Sequence, residues 1–246
     1  MNIIKLNATE STNAYLKELL AEVMVKDFTV VVAHEQTKGR GQMGTTWEAE
    51  PGKNLTFSVL KRYEGFEVAH QFMINVLVSM ALYEQLKKLQ VPDLSIKWPN
   101  DILSGHHKIA GILIENILSG DKIQASVIGI GLNVNQINFN NLPNVSSLKL
   151  ILGKNLELDE LLLSIMKTME ETFALLKSKR TLMRDSLLEQ YKKVLFRKDK
   201  PSTFKNQDDE LFMGFITDVS LEGKLIVTLE DDIKKEFDLK EIKLMY

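Results

Sequence analysis

The chain has 246 residues, with 31 Lys and Arg against 33 Asp and Glu, a formal charge of −2, and no cysteine. This excludes disulfide frameworks, thiolate-bound zinc and cysteine nucleophiles, and it leaves no global field to attract nucleic acid. No apolar run follows a basic start, and none reaches the roughly 20 uncharged apolar residues of a membrane helix, so the expectation is a cytoplasmic protein without a signal peptide.

Residues 2–6 read as a short strand and 12–25 as a helix with Ser11 at its N-cap. FTVVVAH, 28–34, is a β-branched strand; a polar, glycine-rich loop covers 35–53, and 54–60 is strand again. Residues 68–89 form an amphipathic helix with Phe72, Val76, Met80, Tyr83 and Leu86 on one side. Short strands near 94–98 and 101–104 precede the turn-like SGHH. KIAGILIENI and KIQASVIGIGLNV are strands joined through SGD, a hairpin signal. Residues 135–155 are loop-like, and helices near 158–178 and 181–195 follow.

The pattern changes near residue 200. RKDKPS interrupts the helical spacing, because proline removes a backbone donor and restricts its predecessor. LFMGFITDV, KLIVTLE and IKKEFDL then read as strands of a small β unit. Residues 201–246 carry 6 Lys against 11 acids, or −5, which leaves 25 − 22 = +3 on the first 200. Two domains are expected, 1–199 and 200–246.

Three segments carry chemistry. Gly39-Arg-Gly41-Gln-Met-Gly44 satisfies G-x-G-x-x-G after a strand, with Glu64 downstream, but Pro51 and Gly52 follow where a dinucleotide fold requires a helix. What remains is a long loop in which glycines permit close backbone approach and conformational change, Arg40 can grip an anion and Trp47 can stack; the plainer alternative is a surface loop. In Lys97-Trp-Pro-Asn-Asp101, the proline turns the chain so that Lys97, Asn100 and Asp101 can face one cleft, suiting a nucleotide phosphate with magnesium; a capped turn over a buried Trp98 accounts for it equally well. Lys108 opens an otherwise apolar strand, Gly111 leaves room against it, and Asn133 is out of place in a β run; singly, these read as a surface lysine and a capping amide. His106-His107 and His34-Glu35 lack metal-site spacing, and KSKR and RKDK read as solvated helix ends.

Taken in order, Glu10-Ser-Thr-Asn13, Glu35-Gln36 with Gly39-Arg-Gly41, Trp47, Lys97-Trp-Pro-Asn-Asp101, Lys108-Ile-Ala-Gly-Ile-Leu-Ile-Glu115 and Gly129-Ile-Gly-Leu-Asn-Val-Asn135 resemble the biotin protein ligases, the family that includes holocarboxylase synthetases. The resemblance runs over nearly the whole chain. It implies an α/β (α+β) fold: a mixed, largely antiparallel sheet with flanking helices, class II synthetase-like, and a small C-terminal SH3-like β-barrel. It further implies activation of biotin by ATP to biotinyl-5′-AMP, then transfer to a lysine of a biotin carboxyl carrier domain, with Mg²⁺ assisting. A lipoate or octanoate ligase of related fold, a non-catalytic biotin or nucleotide binder and a structural scaffold are the alternatives.

By the same resemblance, Ser11, Thr12, Asn13 and Gln36 bind the biotin ring, with Gly41, Gln42 and Gly111 beside it. Arg40 and Lys108 flank the carboxylate and α-phosphate, Lys108 being the principal catalytic cation. Trp47, Lys97, Asn100 and Asn133 serve the nucleotide, and Asp101 serves catalysis and Mg²⁺. Many members carry a second arginine where this chain has Gln42. Some carry an N-terminal DNA-binding domain, for which a Ser-Thr-Asn motif at residue 11 leaves no room, so no operator binding is expected. Monomers and homodimers both occur in the family, and a homodimer is compatible with this chain; no membrane partner is expected.

Overall fold

The structure, a computed structural model, describes residues 1–140, 142–177 and 181–246, with side chains outside 176–184. The predicted KSKR helix end, 177–180, falls largely outside the described residues. Seven strands form one sheet: β1 Asn2–Thr9, β2 Thr29–Gln36, β3 Leu55–Glu67, β4 Leu94–Lys97, β5 Asp101–Ser104, β6 His107–Ser119 and β7 Lys122–Leu132. Their order is β1-β2-β3-β7-β6-β5-β4, and only the β1–β2 pair is parallel. The expected mixed, largely antiparallel sheet is therefore present.

Helices cover both faces. On one side α1, Thr12–Glu22, buries Leu16 against Val31, Leu60, Ala125 and Val127. On the other side lie α2 (Phe72–Lys88), α4 (Leu158–Lys177) and α5 (Thr181–Lys193). The first seven residues of β3 are all buried, because the strand has helices above and below. α2 is the helix expected at 68–89, but it is buried on nearly every side, from Ile74 through Leu82, so its one-sided pattern was incomplete. The region 135–155 holds one short helix, α3 (Leu148–Leu152), capped by Ser147, whose oxygen accepts from the Leu150 N–H at 3.3 Å, and ended by Gly153 at φ 71°.

A second sheet follows: β8 Pro201–Asn206, β9 Leu211–Val219, β10 Leu225–Leu229, β11 Lys234–Phe237 and β12 Ile242–Met245, in the order β11-β10-β9-β8-β12. Two of these strands, β8 and β12, were not foreseen. Pro201 opens β8 rather than only ending a helix, a position where its missing N–H costs little. RKDK is not a solvated helix end. α5 stops at Lys193, and the half-buried Arg197 and Lys198 donate to the carbonyls of Pro201 and Thr217. The second sheet is fastened to the first part of the chain: from the turn after β4, Trp98 Nε1 donates to the Gly223 carbonyl of the β9–β10 turn at 2.9 Å, and Lys192 of α5 pairs with Asp218 of β9 at 2.9 Å. Among the described residues no helix is long and apolar enough to cross a membrane.

Candidate functional site

A cavity of about 570 Å³ opens where the strand-to-helix junction at residues 11–13, the loop after β2, the β4–β5 turn and the middle of β6 and β7 converge. It is lined by Ser11, Thr12, Asn13, Gln36, Arg40, Gly41, Gln42, Trp47, Lys97, Asn100, Asp101, Lys108 and Gly111. These are all of the expected site residues except Asn133. That residue is 2 % exposed and donates from Nδ2 to the Ser146 carbonyl at 3.0 Å, so it supports the loop beneath the cavity and does not line it.

One end of the cavity is uncharged and polar. Ser11 occupies the N-cap position of α1 without making a side-chain cap bond, leaving Thr12 and Asn13 buried at the helix start. Gln36 Oε1 accepts from the Thr12 N–H at 2.8 Å and lies 3.0 Å from Thr12 Oγ1. From β3, Ser58 places its hydroxyl 2.7 Å from Thr12 Oγ1 and 2.6 Å from Asn13 Oδ1. Asn13 Nδ2 donates to Glu115 Oε2 at 2.8 Å, and Lys17 pairs with the other carboxylate oxygen at 2.6 Å. Burial acts to raise the Glu115 pKa, but hydrogen bonds from Lys17 and Asn13 outweigh it and hold the carboxyl below its ordinary value.

The opposite end is cationic. Lys108 Nζ lies 2.7 Å from Asp101 Oδ1 and 5.5 Å from the centre of the Trp47 ring. The β4–β5 turn is fastened to β6 twice: Asn100 Nδ2 donates to the Ile112 carbonyl at 2.6 Å, and the Ile112 N–H donates to the Asn100 carbonyl at 3.1 Å. Asn100 is thus tied to backbone, as the capped-turn reading expects, while Asp101 lines the cavity and Trp98 is only half-buried. Burial draws the Lys97 pKa down against the opposing pull of Asp101, and its ammonium sits 4.6 Å from the Tyr246 ring centre. Arg40 is exposed on the cavity rim.

The loop after β2 is more regular than its glycine content suggests. Arg40 bridges to Thr46, the Gly41 N–H donates to the Thr45 carbonyl at 2.7 Å, and the Trp47 N–H donates to Gly39 at 3.0 Å, closing a small hairpin. This hairpin seats the indole on a shelf of paired glycines, Gly111 and Gly131. A methyl group added at Gly131 would stand 2.2 Å from Trp47 Cε2, and one at Gly111 would stand 3.1 Å from Cζ3. The space expected against Gly111 is thus held by Trp47, whose Nε1 is buried without a partner among the described residues.

Sequence reasoning passed over Ser58, and it quoted Glu115 only as part of a motif. A hydroxyl set between two apolar residues, Phe57 and Val59, in a β-branched and aromatic run was the available signal for Ser58. Leu239 and Lys243 also line the cavity, arriving from the second sheet through tertiary contact that no local pattern announces. Among the described residues no group of three His, Asp or Glu could hold a metal, and the adjacent His106 packs on Phe196 with ring centres 5.5 Å apart.

Fold and cavity together define an α/β domain whose central sheet carries a cleft that is polar and uncharged at one end and cationic at the other. Residues 6–133, slightly more than half of the chain, match the model of the biotin/lipoate A/B protein ligase family, and the chain belongs to that family. It is 38% identical over 128 residues to the biotin–[acetyl-CoA-carboxylase] ligase of Paracoccus denitrificans, covering 51% of this chain and 52% of that protein. It is 34% identical over 117 residues to the bifunctional ligase/repressor BirA of Bacillus subtilis, covering 48% of this chain and 36% of that protein. The match thus spans about half or less of these curated relatives. Among solved structures, the Aquifex aeolicus biotin protein ligase in complex with biotin and ATP superposes with a TM-score of 0.80 at 26% identity, over 99% of this chain and 98% of that one.

Proposed function

We propose that the chain activates biotin with ATP and transfers it to a lysine of a biotin carboxyl carrier domain. The carrying observation is one cavity with a hydroxyl- and amide-lined end for an uncharged polar ring and a Lys108–Arg40 end for anions. The relatives' names and the Aquifex complex support the same reading. It extends to the division proposed from sequence, a catalytic part to residue 199 and a C-terminal module whose residues reach the cavity rim.

In the first step a carboxylate oxygen of biotin attacks the α-phosphorus of ATP. The bond to the bridging oxygen breaks, and pyrophosphate leaves with the electron pair. Lys108 and Arg40 stabilise the negative charge that crowds there, and Trp47 and Lys97 serve the nucleotide side. In the second step the neutral ε-amine of the acceptor lysine attacks the anhydride carbonyl, the acyl C–O bond breaks with its electron pair leaving on AMP, and the nitrogen's surplus proton passes to water. No enzyme nucleophile is required. Mg²⁺ takes most of its oxygens from phosphates and water, and Asp101 is the carboxylate in the cavity able to add one; the ion would neutralise phosphate charge. Lys108 pairs with that same carboxylate at 2.7 Å, so Asp101 would have to serve both the lysine and a bound ion.

Incubation with MgATP, biotin and an apo carrier domain tests the proposal. Pyrophosphate release with biotinylated carrier is expected with biotin and not with lipoate. No pyrophosphate would refute it, and lipoate-driven release would assign the chain to the lipoate branch.

A further inference from the structure

The polar end of the cavity is short of one hydrogen. Three oxygen–oxygen contacts run in series, Gln36 Oε1 to Thr12 Oγ1 at 3.0 Å, Thr12 Oγ1 to Ser58 Oγ at 2.7 Å, and Ser58 Oγ to Asn13 Oδ1 at 2.6 Å. The two hydroxyls supply only two hydrogens, and a carbonyl oxygen supplies none. Both terminal amides are held with their oxygens facing the hydroxyls. The Thr12 N–H donates to Gln36 Oε1 at 2.8 Å, which fixes that oxygen inward. At the other end a carboxylate only accepts, so Glu115 at 2.8 Å compels Asn13 to point its NH₂ outward, where the Leu113 carbonyl also accepts at 3.4 Å. Lys17, at 2.6 Å, keeps Glu115 ionised and in place. Thr12, Asn13 and Ser58 are each under 4 % exposed, so the missing hydrogen can come only from the cavity side, which Thr12, Asn13 and Gln36 line.

We propose that Glu115 is a positioning residue: by fixing the Asn13 amide it makes the cavity floor an acceptor surface, selecting a ligand head group that presents N–H donors. The inference rests on the biotin reading and deepens it. A cyclic urea brings two N–H groups to a floor that lacks a hydrogen, whereas a dithiolane or an alkyl chain brings none. Discrimination between biotin and lipoate then lies in the direction of hydrogen bonds as well as in the shape of the cavity. Glu115 acts through Asn13 without touching the ligand.

The test is adenylation kinetics of the full chain with biotin, desthiobiotin, which keeps the urea, and lipoate. In Glu115→Gln the new amide can donate to Asn13 Oδ1, so Asn13 can turn over and present N–H groups to Ser58. The expected result is a rise of roughly tenfold or more in KM for biotin and for desthiobiotin, with KM for ATP unchanged within about twofold. Lipoate, blind to the direction of these bonds, keeps its residual rate, so the biotin-to-lipoate ratio falls. Glu115→Asp, still an acceptor, restores most of the biotin KM. Should Glu115→Gln not fold, Glu115→Ala, which removes the acceptor that fixes the Asn13 amide and frees it to turn over, carries the same expected split. An active wild-type enzyme whose biotin KM is unmoved by these variants, or whose biotin and ATP constants change together, would overturn the inference alone. A wild type that releases no pyrophosphate with biotin would overturn the functional reading beneath it.

Discussion

Gly131→Ala isolates the contact between Trp47 and the glycine shelf. Gly131 lies in extended strand backbone, opposite Gly111 on β6 and Thr56 on β3, so alanine is conformationally welcome there and gains about 0.5–1 kcal/mol over glycine in a strand. The added methyl carbon, however, would stand 2.2 Å from Trp47 Cε2 and 2.5 Å from Cζ2, well inside van der Waals contact. The backbone cannot yield without breaking pairing on both sides, so the indole must leave. A tryptophan buries of order 200 Å². Re-exposing about half of it loses about 2.5 kcal/mol at 25 cal/mol/Å². Hydrating the partnerless Nε1 returns about 1 kcal/mol, and the alanine returns nearly as much again.

The terms leave a net destabilisation of about 1 kcal/mol, or a Tm fall of roughly 2–4 °C for a chain of this size. Trp47 emission, read in a Trp98→Phe background that leaves one indole, should shift strongly to the red. The pairing of a large spectral change with a small stability change is the signature of a side chain held on its shelf by a narrow margin. Unchanged emission would refute the displacement. A Tm fall beyond about 8 °C would refute the margin, because the indole would then be part of the structural core.

Lys108→Ala removes the cation at 2.7 Å from Asp101 and should lower pyrophosphate release by roughly 10²–10³-fold with the circular dichroism unchanged; a near-native rate would displace Lys108 from catalysis. Trp98→Phe deletes the 2.9 Å bond to the Gly223 carbonyl that fastens the second sheet to the first part of the chain, at about 1 kcal/mol, and calorimetry should show a single transition lowered by roughly 2–4 °C. Burial raises the Asp218 pKa, but hydrogen bonds from Lys192 and the Val219 N–H outweigh it and hold the group below its ordinary value. Its contribution to stability is therefore complete above that ordinary value and is lost as pH falls through the folded one. Burial lowers the Lys192 pKa, but hydrogen bonds donated to Asp218 and Glu189 raise it above its ordinary value, so that contribution is complete below pH 10.5 and lost as pH rises through the folded value. Lys192→Met should accordingly flatten both flanks of the Tm–pH curve, and an unchanged acid flank would count against the pair.

What could be read in advance followed from how locally each feature is encoded. β6 and β7 were legible because a continuous apolar run broken by SGD encodes a hairpin within itself. α2 was legible in position but not in environment: a helix buried on nearly all sides shows no clean stripe. β8 and β12 were missed because PSTFKN and IKLM are short segments, β12 at the sheet edge, whose strand character comes from pairing with β9 and with each other. The site divides along the same line. Lys97, Asp101, Arg40 and Lys108 advertise themselves as charges in ordered motifs, and the fold brings all four to one cavity. Asn133 carried an equally visible motif, yet backbone at residue 146 claims its amide, so a motif position alone does not determine whether a side chain faces ligand or frame. The Glu115–Asn13–Ser58 relation lies deeper still. It joins residues 13, 58 and 115 from three elements, and its content is the sense of each hydrogen bond, which only the mutual placement of donors and acceptors decides. Residue type therefore located the charged end of the cavity, while the selectivity of the neutral end is written in contacts over 40 residues apart.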